Sequence, residues 1–375
     1  MSAEQWQASK ILPNRQIIRS PGYYGSFLEN PEVPNLNLPP TTLRPDLTDK
    51  DSIYLGDITR FELISKIAEG GMAEIWLAFD RKLGVKLCAK RLLQDNPNIK
   101  DVEELSKFLT AFEREGIVSA RAISPYLLTV YGLFFSAENT PFLVTEYLDP
   151  AVGWNSLLHW QKKIPQMNLQ DLERIFDQVC SAQRSLNRAG IHHLDLTAGN
   201  IMASPQTSKL IDLGLASGVW PINSDYFAGT PHYLPPEAWL KNGCSGDPRE
   251  QVFIWGLLLY ESLTGKSFWM SQEYLGLGYE SQQFNLADKL RQTNLSPEIK
   301  GLLAMALAKD PHDRFSSLTE MRTFWKRLST QPGFADLPEM NQPTMAEVFK
   351  KDLTASQIFQ VPLSPELPTH LAMAS

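Results

Sequence analysis

Asp195, Asn200 and Asp212 fall inside one stretch, "GIHHLDLTAGNIMASPQTSKLIDLGLA", that is too polar to be core. Asp195 and Asn200 lie in a loop just after a predicted helix, and Asp212 follows the short apolar run "KLI". Two carboxylates and an amide on adjacent loops suit a hard cation such as magnesium, which takes oxygen ligands. A carboxylate beside the metal but not bound to it could orient a hydroxyl, which is the logic of phosphoryl transfer. That chemistry also requires a cradle for phosphates and a cation to meet them. Upstream, "IAEGGMAEIWLA" places Gly70 and Gly71 between two predicted strands, where a backbone without side chains can close over phosphates and offer its N–H groups. Lys90 lies in the next strand, and Glu115, on the helix after it, is placed to hold the Lys90 ammonium. Taken singly, each group has an ordinary structural reading as a turn residue, an edge-strand lysine or a solvated helix charge.

The elements that must position these groups fall into two sets. Five apolar and β-branched runs read as strands: "FELISKIAE", "AEIWLAFD", "VKLCAKRLL", "LLTVYGLFF" and "PFLVTEYLD". Between the third and fourth, Val102, Leu105, Leu109 and Phe112 recur at helical spacing. After Asp149 the pattern turns helical, with a stripe of Leu172, Ile175, Phe176, Val179 and Leu186 closed by Gly190. The run "QVFIWGLLLYESL" is apolar nearly all round and predicts a buried central helix. A strand-rich first lobe followed by a helical second lobe predicts an α+β fold with a cleft where the two meet. The expected layout is a proline-rich extended arm over 1–60, lobes over 61–149 and 150–330, and a tail over 331–375. Within that mostly solvated tail, "TMAEVFKKDLTASQIF" predicts one short amphipathic helix that docks on the body or on a partner.

The 375 residues carry a net charge of -7, which argues against nucleic acid or an anionic membrane as the main partner. Cys88, Cys180 and Cys244 are odd in number and widely spaced, which points to a reducing compartment rather than a disulfide framework or zinc site. The N-terminus lacks a signal-peptide pattern, and the longest apolar run, Val252 to Tyr260, is too short to span a bilayer. A soluble, cytoplasmic protein is the expectation.

In sequence order, these segments resemble the protein kinase family, in the form found in bacterial Ser/Thr kinases. "IAEGGMAEI" is similar to the glycine-rich loop, "LCAK" to V-A-I-K, "FERE" to the helix that supplies the glutamate, and "HLDLTAGN" to H-R-D-L-x-x-x-N. "DLG" is similar to D-F-G, "GTPHYLPPE" to the segment ending in A-P-E, and "AKDPHDRF" to the late motif whose arginine holds that glutamate. The resemblance covers roughly residues 61 to 330. It implies a two-lobed fold with a small five-stranded antiparallel N-lobe carrying one helix, and a larger helical C-lobe. It also implies ATP and magnesium as cofactors, Ser or Thr hydroxyls of proteins as acceptors, and autophosphorylation.

By that match Ile67, Ala68, Glu69, Gly70, Gly71, Met72, Ala73, Glu74 and Ile75 form the flap over the phosphates. Lys90 contacts the α- and β-phosphates and pairs with Glu115, Asp195 takes or orients the hydroxyl proton, and Asn200 and Asp212 hold magnesium. The adenine lies among Ile75, Cys88 and Met202, its edge on the backbone of Glu146 to Leu148, with Thr145 at the back. Arg314 pairs with Glu237. The implied autophosphorylation sites are Ser217, Ser224 and Thr230, or Thr41, Thr42 and Thr48 on the arm.

Some positions depart from the pattern. Ala68 and Ala73 replace two loop glycines, Leu213 replaces the Phe of D-F-G, and Leu194 replaces the arginine that usually neutralises a phosphorylated activation loop. That last change implies activity independent of loop phosphorylation. Thr197 stands in place of a lysine, and Gln251 in place of an aspartate that anchors the catalytic loop. These departures leave open a pseudokinase scaffold or ATP sensor, its arm or tail recruiting partners. A small-molecule phosphotransferase shares H-x-D-x-x-x-x-N but lacks the A-P-E segment and its arginine.

Overall fold

The computed structural model describes residues 60–69, 73–93, 102–135, 140–217, 229–241 and 243–358. Runs of alternating and β-branched residues become strands β1 (Phe61–Glu69), β2 (Ala73–Asp80), β3 (Val85–Leu92), β4 (Val130–Phe135) and β5 (Pro141–Glu146). They form one antiparallel sheet in the order β1-β2-β3-β5-β4. The face of this sheet opposite the one that carries Ile75, Lys90 and Leu143 holds a small cluster, with Ala78, Leu87, Ala89 and Val144 at its centre. Helix α1 (Val102–Arg121) lies between β3 and β4 in the chain and turns Phe108, Phe112 and Val118 inward, at the spacing of one helical face.

The second lobe is helical. Helix α2 (Leu157–Lys163) leads into α3 (Leu169–Arg188), capped by the Asn168 side chain, and Gly190 follows its end at φ 72. The stripe expected on α3 is buried throughout, from Leu172 to Leu186. Each such side chain removed from water contributes roughly 1.5–3 kcal/mol. The short strands β6 (Asn155–Ser156), β7 (Ile201–Ala203) and β8 (Ser208–Leu210) form a second sheet between the lobes. Then come α4 (Pro236–Lys241), α5 (Pro248–Thr264), α6 (Tyr274–Gln283), α7 (Leu286–Arg291), α8 (Pro297–Ala306) and α9 (Leu318–Ser329). Helix α5 is the buried central helix its composition requires, starting at the Asp247 cap and stopping at Gly265, φ 66.

After 330 the expected docking helix forms on the body, while the stretch leading into it is anchored rather than solvated. Phe334 and Met345 are buried, and a final helix α10 (Met345–Ile358) lies on the second lobe. The reason is polar anchoring by distant residues: Asn168 Nδ2 donates to the Met340 and Gln342 carbonyls at 2.8 and 2.7 Å, and Asp171 Oδ2 accepts from Met345 N–H at 2.7 Å.

Arg314 braces the helical lobe. Its side chain is 0% exposed and forms a fork on Glu237, Nη1 to Oε1 at 2.7 Å and Nη2 to Oε2 at 2.8 Å. The remaining N–H groups reach the carbonyls of Ala308, Arg249 and Lys309, and the guanidinium lies 4.7 Å over the Phe253 ring. Arg314→Ala is expected to destabilise the protein by about 3–5 kcal/mol, because Glu237 loses its fork partner in a largely dry site. Arg314→Lys cannot reproduce the planar fork and recovers only part of the loss. Denaturant melts check both.

Candidate active site

Strand β3 is the floor from which Lys90 rises, in register with Ile75 on β2 and Leu143 on β5. Its ammonium sits 2.7 and 2.9 Å from the two Glu115 oxygens, brought over by α1, and 3.2 Å from Asp212 Oδ1. Lys90, Glu115 and Asp212 therefore converge although far apart in sequence. The approach is close at Gly214, where a Cβ would stand 3.0 Å from Asp212 Oδ1 and 3.5 Å from Glu115 Oε2 and would push the Asp212 carboxylate by a few tenths of an ångström. Gly214 N–H also donates to Asp212 Oδ1 at 2.9 Å. Burial pushes the Glu115 carboxyl up, and the Lys90 charge opposes that shift.

Asp195 and Asn200 occupy the loop between α3 and β7, and both are buried. Asp195 Oδ1 accepts from Thr230 N–H at 3.0 Å and from the Thr230 hydroxyl at 2.7 Å, while Oδ2 accepts from Asn200 Nδ2 at 2.9 Å. A carboxylate oxygen has two lone-pair directions, so Oδ1 is filled and Oδ2 keeps one free. His193, fully buried, takes Asp195 N–H on Nδ1 at 3.3 Å and sits 3.1 Å from the Ile211 carbonyl through Nε2, so its proton is on Nε2. One histidine thus ties the loop of Asp195 to the segment of Asp212. Leu194 and Asp212 both have left-handed backbones, φ 63 and φ 60, unusual for non-glycine residues and found where surrounding contacts over-determine the chain.

Burial raises the Asp195 carboxyl from 3.8 to about 7, with Asp212 adding to the rise and the Thr230 and Asn200 donors working against it. An Asp195 acting as base must be ionised, so kcat/KM is expected to climb as pH rises through about 7 and then to level. Stability runs the other way. Between about 4 and 7 the folded chain holds a proton that the unfolded chain has lost, so this contribution falls as pH rises. Asp195→Asn should flatten that part of a melting-temperature profile, which thermal scans at several pH values would check.

Asn200 Oδ1 is buried and receives no hydrogen bond, although its own amide nitrogen is satisfied by Asp195. A buried acceptor without a donor, on a residue whose carbonyl accepts from the N–H of Ile211 next to Asp212 at 2.9 Å, has the chemistry of a ligand for a divalent cation, so these residues fit magnesium.

Next to this cluster lies a cavity of about 400 Å3, open toward solvent and lined mainly by apolar atoms. Ile67, Ala68, Ile75, Cys88, Glu146, Leu148 and Met202 line it, as do Thr145, Leu143 and Leu127. Three other flap positions use their side chains differently. Glu69 pairs with Lys66, Ala73 is buried in the sheet, and Glu74, opposite Arg91 in the β2–β3 register, pairs with that arginine. Only their backbone is left for a phosphate. Gly70, Gly71 and Met72 lie outside the described residues, as do Ser224 and Thr41, Thr42 and Thr48 on the arm.

Two candidate phosphorylation sites are engaged elsewhere. Ser217 is 2% exposed, its hydroxyl accepting from His192 N–H, and the Thr230 hydroxyl is spent on Asp195. Thr197 is buried, its hydroxyl accepting from Asn200 N–H at 3.2 Å, so it shapes the loop without supplying a charge. Gln251 turns toward Leu194, Leu196 and Gln183, while its neighbour Glu250 receives the N–H groups of Ser245 and Gly246. Thr230 and His193 are the contributors that motif spacing does not single out as Asp195 partners. The only signal for Thr230 is its place in "GTPHY".

Comparison with known proteins agrees with this geometry. Residues 61–325 match the family described as the protein kinase domain. The chain is 30% identical over 290 residues to the serine/threonine-protein kinase PknB of Mycobacterium leprae, covering 75% of this chain and 43% of that protein. It is 30% identical over 273 residues to PknB of Mycobacterium tuberculosis, covering 70% and 42%. Against the serine/threonine-protein kinase PknD of Chlamydia muridarum it is 27% identical over 303 residues, covering 70% and 31%. The chain spans less than half the length of these curated relatives.

Proposed function

Because the chain belongs to the protein kinase family, we propose that it transfers the γ-phosphate of Mg-ATP to Ser or Thr hydroxyls of protein substrates. The observation that carries this reading is the Lys90–Glu115–Asp212 convergence beside a purine-sized cavity, with Asp195 held close by. No described helix is long and apolar enough to cross a membrane. The three cysteines are free, which supports a reducing, cytoplasmic setting.

Each residue has a task set by its surroundings. Lys90, steered by Glu115, meets the α- and β-phosphate oxygens, while Ile75, Cys88 and Met202 bury the purine and the backbone of Glu146 to Leu148 reads its edge. Asn200 Oδ1 and Asp212 would hold magnesium, which when bound supplies positive charge against the phosphate oxygens. The acceptor hydroxyl attacks the γ-phosphorus in line while the bond from that phosphorus to the β–γ bridging oxygen breaks and ADP leaves, and the hydroxyl proton moves to the free lone pair of Asp195 Oδ2. Positioning and charge do most of the work in such a reaction. Thr230 and Asn200 keep Asp195 from rotating.

Purified protein given labelled ATP, magnesium and a generic protein substrate should place label on Ser and Thr, and on itself. No transfer above an Asp195→Asn control would overturn the reading in favour of a nucleotide-binding scaffold. Consumption of a metabolite while proteins stay unlabelled would favour a small-molecule phosphotransferase.

A further inference from the structure

We propose that the segment after the family-matched region is a strap whose Phe349 ring sets the outer wall of the nucleotide cavity, making Phe349 a positioning residue for ATP. The inference rests on the reading of that cavity as the nucleotide site. The segment leaves the end of α9 and is anchored along its course. Phe334 is buried, Glu339 Oε1 accepts from Ser296 N–H at 2.6 Å, and the bonds from Asn168 and Asp171 hold residues 340 to 345. Helix α10 then continues along the lobe, with Val348 and Phe349 against the core and Asp352 paired with Lys163 of α2.

This course brings Phe349 to Gly153. A Cβ at Gly153 would stand 3.5 Å from the Phe349 ring on one side and 2.8 Å from Pro205 Cδ, in the β7–β8 turn, on the other. Gly153 has φ 93 and donates its N–H to the Pro150 carbonyl at 2.9 Å, closing a tight turn that a side chain would strain. The turn therefore sits close to both the β7–β8 connection and the strap. The next three residues of the chain, Trp154, Asn155 and Ser156, all line the cavity, as does Pro150 before the turn. Ser156 is also in register with Met202 on the cavity floor. A shift at Gly153 passes to this wall through the chain itself, with no intervening element.

The catalytic groups hang from other supports. Lys90 rises from β3, Glu115 from α1, and Asp195 is held by Thr230, Asn200 and His193, and none of these bonds runs to the strap. Loosening Phe349 should therefore weaken nucleotide binding and leave the transfer step alone.

Full-length Phe349→Ala, Phe349→Leu and Gly153→Ala proteins test this, with Kd for Mg-ATP measured by calorimetry and KM and kcat measured by protein phosphorylation. Phe349→Ala, which empties the strap's side of the turn, and Gly153→Ala, whose Cβ would press on Pro205 at 2.8 Å and strain the turn at φ 93, should each raise Kd and KM for ATP about fivefold with kcat unchanged. Phe349→Leu, which keeps an apolar side chain in place, should fall between them and the unchanged protein, and it decides the matter if Phe349→Ala fails to melt cooperatively. Unchanged Kd in the variants, or a fall in kcat at unchanged Kd, overturns the strap alone. An unchanged protein that binds no nucleotide overturns the kinase reading itself.

Discussion

Asp195→Asn is expected to lower phosphate transfer by roughly 10²- to 10⁴-fold, the range removed with a positioned general base, while nucleotide binding and the fold survive. The asparagine side chain has nearly the same shape and still offers an oxygen to Thr230, so the loop should keep its course. What disappears is the free lone pair of Asp195 Oδ2, because an amide nitrogen facing the acceptor hydroxyl donates where a proton must be taken. It would also face Asn200 Nδ2, donor against donor, in a site where both residues are buried. That conflict costs about 1–3 kcal/mol, so the variant's melting temperature should drop modestly. Stabilisation by saturating Mg-ATP, which follows RT ln(1 + [L]/Kd), should match that of the unchanged protein. Transfer at near wild-type rate would remove Asp195 from the mechanism. Loss of nucleotide binding would show instead that the residue acts through the cavity.

Much of this arrangement was legible in the residues, and the boundary of what was legible has physical causes. The β-strands and the α3 stripe arise from local periodicity, which depends only on neighbours a few residues apart, and they form within the runs it marks, although β4 starts three residues late and β5 ends three residues early. The Lys90–Glu115 contact and the Arg314–Glu237 fork join residues 25 and 77 apart. The first was readable as an ion pair from the helix after β3, and the second was expected only because several motifs appear in a known order. Polar contacts without a motif stayed hidden. Nothing in "GTPHY" says that Thr230 will fill one oxygen of Asp195, 35 residues upstream.

Register and charge explain two further differences. Glu74 belongs to the flap by position, yet it faces Arg91 across the β2–β3 pair, and an ion pair on the sheet captures it. The tail seemed solvated because Glu347, Lys350 and Lys351 give its helix a polar surface. It is held down by Asn168 and Asp171, more than 170 residues earlier, each bonding to strap backbone rather than to side chains. Backbone anchors of that kind leave no imprint on the anchored sequence. Gln251 likewise had the position of an anchor, but it lies beside Gln183 among Leu194, Leu196 and Ile254, and Glu250 holds the neighbouring segment instead.

The second large effect expected is at Lys90, where replacement by Met should reduce transfer by about 10²- to 10³-fold, as loss of one preorganised charge donor does at other sites. Methionine keeps much of the lysine stem, so the space between β3 and α1 stays filled. The chemical change is that Glu115 and Asp212 lose the cation between them, with side chains only 6% and 8% exposed. Two carboxylates left together in a dry site cannot both stay ionised. Glu115, already pushed up by burial and released from the Lys90 charge that opposed it, is the one expected to take a proton. A protonated Glu115 resembles glutamine, so Glu115→Gln should cost activity in the unchanged protein, where it frees the ammonium to wander, and almost none in the Lys90→Met background. The two effects are then far from additive, with the double variant transferring phosphate at nearly the Lys90→Met rate. Additive losses across this cycle would mean that Glu115 acts on something other than Lys90. A Lys90→Met protein with undiminished turnover would mean that the phosphates are met by another group.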